Sequence, residues 1–168
     1  YAALKAFNDP RIRLFQNEQN LGYLTTCNFL ASQAKSEFIT FQDADDYSRA
    51  DRFELQMALI QSQNLDFVGS HAQLVKSKDD VVRTLVYPLD DAQIKHRLAH
   101  KTTPPFCGAA IVFKRKLYEE IGLYDERFNR LGAEDYDWIY RAADKTKMAN
   151  VDEPLYAYRL NPESVSKV

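Results

Sequence analysis

Cysteine is scarce in this chain, with only Cys27 and Cys107 among 168 residues. Their separation suits no metal-ligand pair and they cannot build a disulfide framework. Both read as small buried hydrophobes in a reducing, cytoplasmic setting. Long apolar runs are also missing. None approaches the roughly 18 residues of a membrane span, and no signal-peptide pattern is present. Positive charge is not in excess, since 22 Lys and Arg face 24 Asp and Glu for a net charge of −2, so no nucleic acid partner is expected. An initiator Met is lacking too. Tyr1 to Phe7 read as the last turns of a helix whose beginning lies upstream, so an N-terminal truncation is expected. A missing anchor there leaves room for a place at the cytoplasmic face of a membrane.

What is present is a chain 45% hydrophobic and 27% charged, the composition of one globular domain over residues 1–168 with a core of its own. Its most informative stretch is Phe38-Ile39-Thr40-Phe41-Gln42-Asp43-Ala44-Asp45-Asp46, an apolar run that ends in three carboxylates within four residues. Aromatic and β-branched residues favour a pleated strand, so the strand delivers a charge cluster to an edge. Three carboxylates that close repel one another unless a cation sits among them, and hard oxygen donors suit a divalent metal. A solvated acidic turn is the competing explanation.

Along the chain, residues 11–16 alternate as a strand, and Tyr23, Cys27, Leu30 and Ala34 recur as a helix stripe. The strand at 38–42 follows. Ser48 is a candidate helix cap ahead of a stripe of Ala50, Phe53, Met57 and Ile60, and a third strand is expected at 66–69. Strand, helix, strand, helix, strand predicts an α/β fold with a mostly parallel sheet flanked by helices, and ligands there bind beyond the carboxyl ends of the strands, where the acidic cluster falls. Residues 71–105 are irregular, with a short strand at 72–75 and a helix near 91–100, and read as a variable, acceptor-facing region. His71, His96 and His100 form no ligand motif and are assigned structural or solvated roles. A strand at 109–113 and a helix at 115–121 capped by Gly122 come next. Glu134 and Asp135 then open a helix with Asp135, Trp138, Ile139 and Ala142 on one face, and strands at 148–151 and 155–159 flank Pro154. A carboxylate at a helix N-terminus is stabilised by the free N–H groups there, but a pair turned inward asks for a further reason.

Four elements in this order, Asn20-Leu21-Gly22, Gln42-Asp43-Ala44-Asp45-Asp46, residues 119–126 and Gly132-Ala133-Glu134-Asp135, resemble the inverting family 2 glycosyltransferases over nearly all of residues 8–166. The resemblance implies an N-terminally truncated GT-A fold. It implies transfer of a sugar from a nucleotide-diphosphate sugar, in particular a UDP-sugar, to the hydroxyl of a saccharide or lipid-linked acceptor, with Mn²⁺ or Mg²⁺ as cofactor. By similarity, Asp43 and Asp45 bind the donor, Asp45, Asp46 and Asn161 ligate the metal, Asp135 is the catalytic base, and Glu134, Gly108, Phe106 and Trp138 face the acceptor. Asn161 stands where many members carry a metal-completing His, and Cys27 where many carry Arg or Lys. The family's first strand, the helix after it and a second strand with an acidic base-binding residue have no counterpart here. That leaves a catalytically silent remnant as an alternative. A haloacid dehalogenase type phosphotransferase is another, although Tyr47 stands where its motif needs Thr or Val. A calcium loop from Asp43 to Glu54 lacks the Gly its turn requires.

Overall fold

The computed structural model of the chain describes residues 2–100, 103–129 and 131–161. After the helical turn α1 (Ala2–Lys5) the chain runs without regular structure to α2 (Tyr23–Ser32). Strands β1 (Phe38–Thr40) and β2 (Tyr47–Ser48) bracket the acidic turn. Helix α3 (Arg52–Gln63) leads into β3 (Phe67–Ser77), which folds back on β4 (Asp80–Leu85). Helix α4 (Asp91–His100) is followed by a 3-10 turn (Gly108–Ala110), β5 (Val112–Lys114) and α5 (Arg115–Ile121). A second 3-10 turn (Glu126–Phe128), α6 (Glu134–Ala143) and the long β6 (Met148–Arg159) complete the described chain.

The sheet is mixed. Its order is β1-β5-β3-β6-β2, with β4 also on β3. β1, β3 and β6 run the same way, as the strand-helix-strand pattern predicts. However, β5 inserts antiparallel between β1 and β3, and β2 lies antiparallel on β6, so β3 and β6 are the one directly parallel pair among the described residues. The expectation of a mostly parallel sheet is corrected accordingly.

Alternation along the strands loads both faces. Phe67, Phe113 and Met148 join one core with Trp138, Ile139 and Leu98, while their neighbours Val68, Val112 and Ala149 join another with Ile60 and Leu65. Thus α3 covers one face and α4, α5 and α6 cover the other. Phe113 and Trp138 lie 4.5 Å apart by ring centroid and Phe67 and Phe106 5.0 Å, aromatic packing that anchors α6 and the approach to β5.

Several expected elements differ. Residues 11–16 form no strand, because no described neighbour offers them a ladder; Ile12, Leu14 and Phe15 stay exposed, and Phe15 packs edge-on against Phe29. On α2 the buried residues are Leu24, Cys27 and Ala31, one step round from the predicted stripe. On α3 they are Arg52, Gln56 and Ile60, and Phe53 faces outward. Asp51 rather than Ser48 precedes α3, and the expected strands at 148–151 and 155–159 are one strand that bends at a register shift near Pro154.

Candidate active site

The acidic turn is held from both ends. β1 closes one side, and on the other β2 pairs with β6 through Tyr47 opposite Ala157 and Ser48 opposite Tyr156. Within the turn, Asp46 N–H donates to the Asp43 carbonyl at 3.3 Å. Asp43 N–H donates to the Tyr156 hydroxyl at 3.2 Å, and the main-chain N–H of Arg159 donates to Asp46 Oδ1 at 2.8 Å. β6 therefore fixes the Asp46 carboxylate through the Arg159 backbone and the Asp43 main chain through the Tyr156 hydroxyl.

Beneath the turn lies Arg52, 0% exposed. Its guanidinium donates to the Phe41 and Ala109 carbonyls, to Thr40 Oγ1 and Ser48 Oγ at 2.9 Å each, and to Gln56 Oε1, with its Cζ 5.0 Å from the centre of the Tyr156 ring. Burial holds this guanidinium below its ordinary pKa. One buried cation thus ties β1, β2 and the 3-10 turn at Gly108 to the root of the acidic turn. It lies outside the apolar stripe of Ala50, Phe53, Met57 and Ile60 expected for this helix.

Burial and mutual repulsion both act on the carboxylates. Burial, then the charges of Asp46 and Asp45, push the Asp43 carboxyl above the usual range. Burial also raises Asp46, against the opposing hydrogen bonds from Arg159 N–H and the Tyr156 hydroxyl. Asp46 Oδ2 is buried with no hydrogen-bond partner, and so is Arg159 Nε, while Arg159 Nη2 stands 4.0 Å from Asp45 Oδ2. Among the described residues no three His, Cys, Asp or Glu side chains converge as a ready-made metal cage. Asp45 and Asp46 with an orphaned carboxylate oxygen fit the other arrangement, in which Mg²⁺ or Mn²⁺ takes one or two protein carboxylates and completes its shell with phosphate oxygens and water.

The second acidic pair opens α6. Gly132 and Ala133 both adopt positive φ, 74° and 66°, to turn the chain into the helix, and Glu134, Asp135 and Asp137 then occupy the first turn where the helix dipole favours negative charge. Asp135 Oδ1 accepts from Tyr136 N–H at 2.7 Å, yet burial outweighs that bond and raises the carboxyl. Asp135 lies against Gly108 so closely that a Cβ on Gly108 would stand 2.5 Å from Asp135 Oδ2. Gly108 was expected to make room for an acceptor, and the room it makes is filled by Asp135.

The two acidic sets face common neighbours. The Tyr124 hydroxyl, its pKa raised mainly by burial, is within electrostatic reach of Asp135, Glu134 and Asp43. The Cys107 thiol, pushed up to about 12 by burial, feels both Asp46 and Asp135. Tyr124 is itself fixed by a two-way clamp with Asn28 of α2 and stacks at 6.0 Å on Phe41, just before the acidic turn.

Other candidates fall elsewhere. Phe106 and Trp138 are each 2% exposed and packed in the core, so neither ring offers a face to a sugar; the Trp138 indole N–H is spent on the Gly122 carbonyl at 2.9 Å. Asn161 lies exposed two residues beyond Arg159. His71 is buried between Asp152 and the Tyr87 N–H, and His96 and His100 stack on one another along α4. Cys27 is buried in the core under Tyr23. Tyr156, Tyr124 and Arg159 were not singled out from sequence. For Arg159 the signal was available, a basic residue ending the last strand beside a Tyr.

A family model described as "Glycosyltransferase like family 2" matches residues 2–167. The chain is 29% identical over 174 residues to the uncharacterized glycosyltransferase EpsJ of Bacillus subtilis, covering 97% of this chain and 49% of EpsJ. It is 26% identical over 166 residues to the O-antigen biosynthesis glycosyltransferase WbnJ of Escherichia coli, covering 95% of this chain and 61% of WbnJ. Among solved structures, S. aureus TarS 1–349 in complex with UDP-GlcNAc superposes with a TM-score of 0.68 at 17% identity, over 90% of this chain and 43% of TarS. The chain therefore spans roughly half of the relatives it matches, and the likeness to TarS is one of fold.

Proposed function

This chain belongs to the glycosyltransferase-like family 2, and from that premise we propose that it is the donor-metal and base-bearing part of an inverting sugar transferase that uses a UDP-sugar. The observation that carries the proposal is the pairing of a half-satisfied carboxylate cluster at 43–46 with a buried, raised carboxylate at Asp135, both within reach of Tyr124. Asp45 and Asp46 would hold Mn²⁺ or Mg²⁺, and Asp43 would face the nucleoside. The metal, when bound, stabilises the negative charge that gathers on the departing nucleoside diphosphate.

The acceptor side follows from Asp135. A carboxylate whose basicity is increased by burial suits proton abstraction from a sugar hydroxyl, and Gly108 lets it sit flush with the wall of the site. The acceptor oxygen attacks the anomeric carbon as Asp135 takes its proton. The bond to the diphosphate oxygen breaks on the opposite face, so the anomeric configuration inverts. Glu134, beside the base, would orient the acceptor. WbnJ is named for O-antigen biosynthesis and TarS is solved with UDP-GlcNAc, which supports a saccharide or lipid-linked acceptor and a uridine nucleotide donor. Among the described residues no helix is long and apolar enough to cross a membrane, so work at a membrane face would rest on other segments. The haloacid dehalogenase alternative finds no support in the family match.

The test is Asp135→Asn in the intact protein with a UDP-sugar donor. Transfer should fall about 10²- to 10⁴-fold while UDP affinity stays within about twofold. Retained turnover would remove Asp135 as the base.

A further inference from the structure

Arg159 ends β6 with its side chain against the acidic turn, and its two halves do different work. The backbone N–H positions Asp46, and Leu160 N–H behind it is tied to the Val75 carbonyl at 2.8 Å, so the main chain is fixed. The guanidinium is not. Its Nη2 stands 4.0 Å from Asp45 Oδ2, at the limit of an ion pair and beyond a hydrogen bond, and its Nε, like Asp46 Oδ2, is buried without a hydrogen-bond partner. A buried donor and a buried acceptor left unmade each carry a desolvation cost that a suitable ligand would remove. The acceptor calls for a cation and the donor for an anion. A divalent metal on a diphosphate supplies both.

We propose, resting on the donor reading above, that Arg159 is an exchangeable counter-ion. Before the donor binds, its guanidinium partly neutralises Asp45 and Asp46; as the metal-nucleotide complex arrives, the carboxylates pass to the metal and the guanidinium turns onto the diphosphate oxygens. A planar fork of donors suits phosphate, and an arginine only loosely bonded to its carboxylates gives them up at little cost. The arrangement makes metal and nucleotide arrive together, because the metal alone has to displace a cation whereas the complex gives that cation a new partner.

The consequence is a pair of changes of opposite sign. In Arg159→Gln the backbone anchor of Asp46 remains, so only the charge is lost. Calorimetry with MnCl₂ alone should show about fivefold tighter binding than wild type, the scale of one partly exposed ion pair removed. UDP titrated at saturating MnCl₂ should bind about tenfold more weakly. Arg159→Lys keeps the charge and loses the fork, so it should hold Mn²⁺ within about twofold of wild type and still lose UDP affinity. Mn²⁺ affinity that is unchanged or weaker in Arg159→Gln, or UDP affinity that is unchanged in Arg159→Lys, would overturn the proposal while wild type still binds UDP. A wild-type protein that binds no UDP with Mn²⁺ would instead overturn the donor reading and this inference with it.

Discussion

Gly108 has no side chain where Asp135 needs the space, and that single contact sets how the Asp135 carboxylate lies, which the proposed role as base depends on. Gly108→Ala would force the carboxylate aside, and since a displacement of about 1 Å can cost about 10²-fold, kcat should fall by that order with UDP affinity retained. The raised carboxyl of Asp135 also fixes a pH dependence. Transfer needs the ionised base, so the acid limb of the kcat profile should lie above the range of an ordinary aspartate. Stability runs the other way for Asp43. Its folded pKa exceeds its unfolded value, so the folded state holds more protons in the interval between them and stability falls as pH rises through it. Asp43→Asn cannot ionise. It should melt at a higher temperature than wild type at pH 8, and the gain should disappear at pH values low enough to protonate the wild-type carboxyl. Arg52 offers a further check. Arg52→Met leaves the carbonyls of Phe41 and Ala109 and the hydroxyls of Thr40 and Ser48 without their shared donor, and thermal unfolding should show a loss of about 2–4 kcal/mol.

At the scale of elements, what could be read from sequence was what periodicity and caps encode locally. The helices at 91–100 and 115–121, and the one opened by Glu134, stand where their patterns place them, because each buries an apolar stripe and α5 stops at Gly122 with φ 71°. The acidic turn and Asp135 were readable because charge ending an apolar strand, or turned inward on a helix, conflicts with the bland expectation. What could not be read depended on partners distant in sequence. Residues 11–16 alternate like a strand but find no described ladder. β5 enters between β1 and β3 from far along the chain, and the face of α3 is set by the buried polar pair Arg52 and Gln56, which no apolar periodicity reveals. Asn150 is a similar long-range device. Its amide donates to the carbonyls of Pro88 and Pro105 at 2.8 and 3.0 Å, clamping both ends of the segment that carries α4 and leads to Gly108. Asn150→Ala should destabilise the protein by about 2–3 kcal/mol and, in hydrogen exchange, raise amide exchange in 88–105 more than in α3.

At the scale of the molecule, the mixed sheet gathers three otherwise separate contributions at one end: the turn between β1 and β2, the tip of β6 with Arg159, and the start of α6. About 90 residues separate Asp45 from Asp135, and their common neighbours Tyr124 and Cys107 come from connections between the covering elements. The chain spans about half the length of the relatives it matches. The central claim, that residues 43–46 receive a metal-bound nucleoside diphosphate, is tested most directly by titrating UDP into the intact protein by calorimetry, once with MnCl₂ and once with excess chelator. The account predicts saturable binding with Mn²⁺ and a loss of at least about tenfold in chelator, matched by Asp45→Asn with metal present. Equal UDP affinity with and without metal would contradict it.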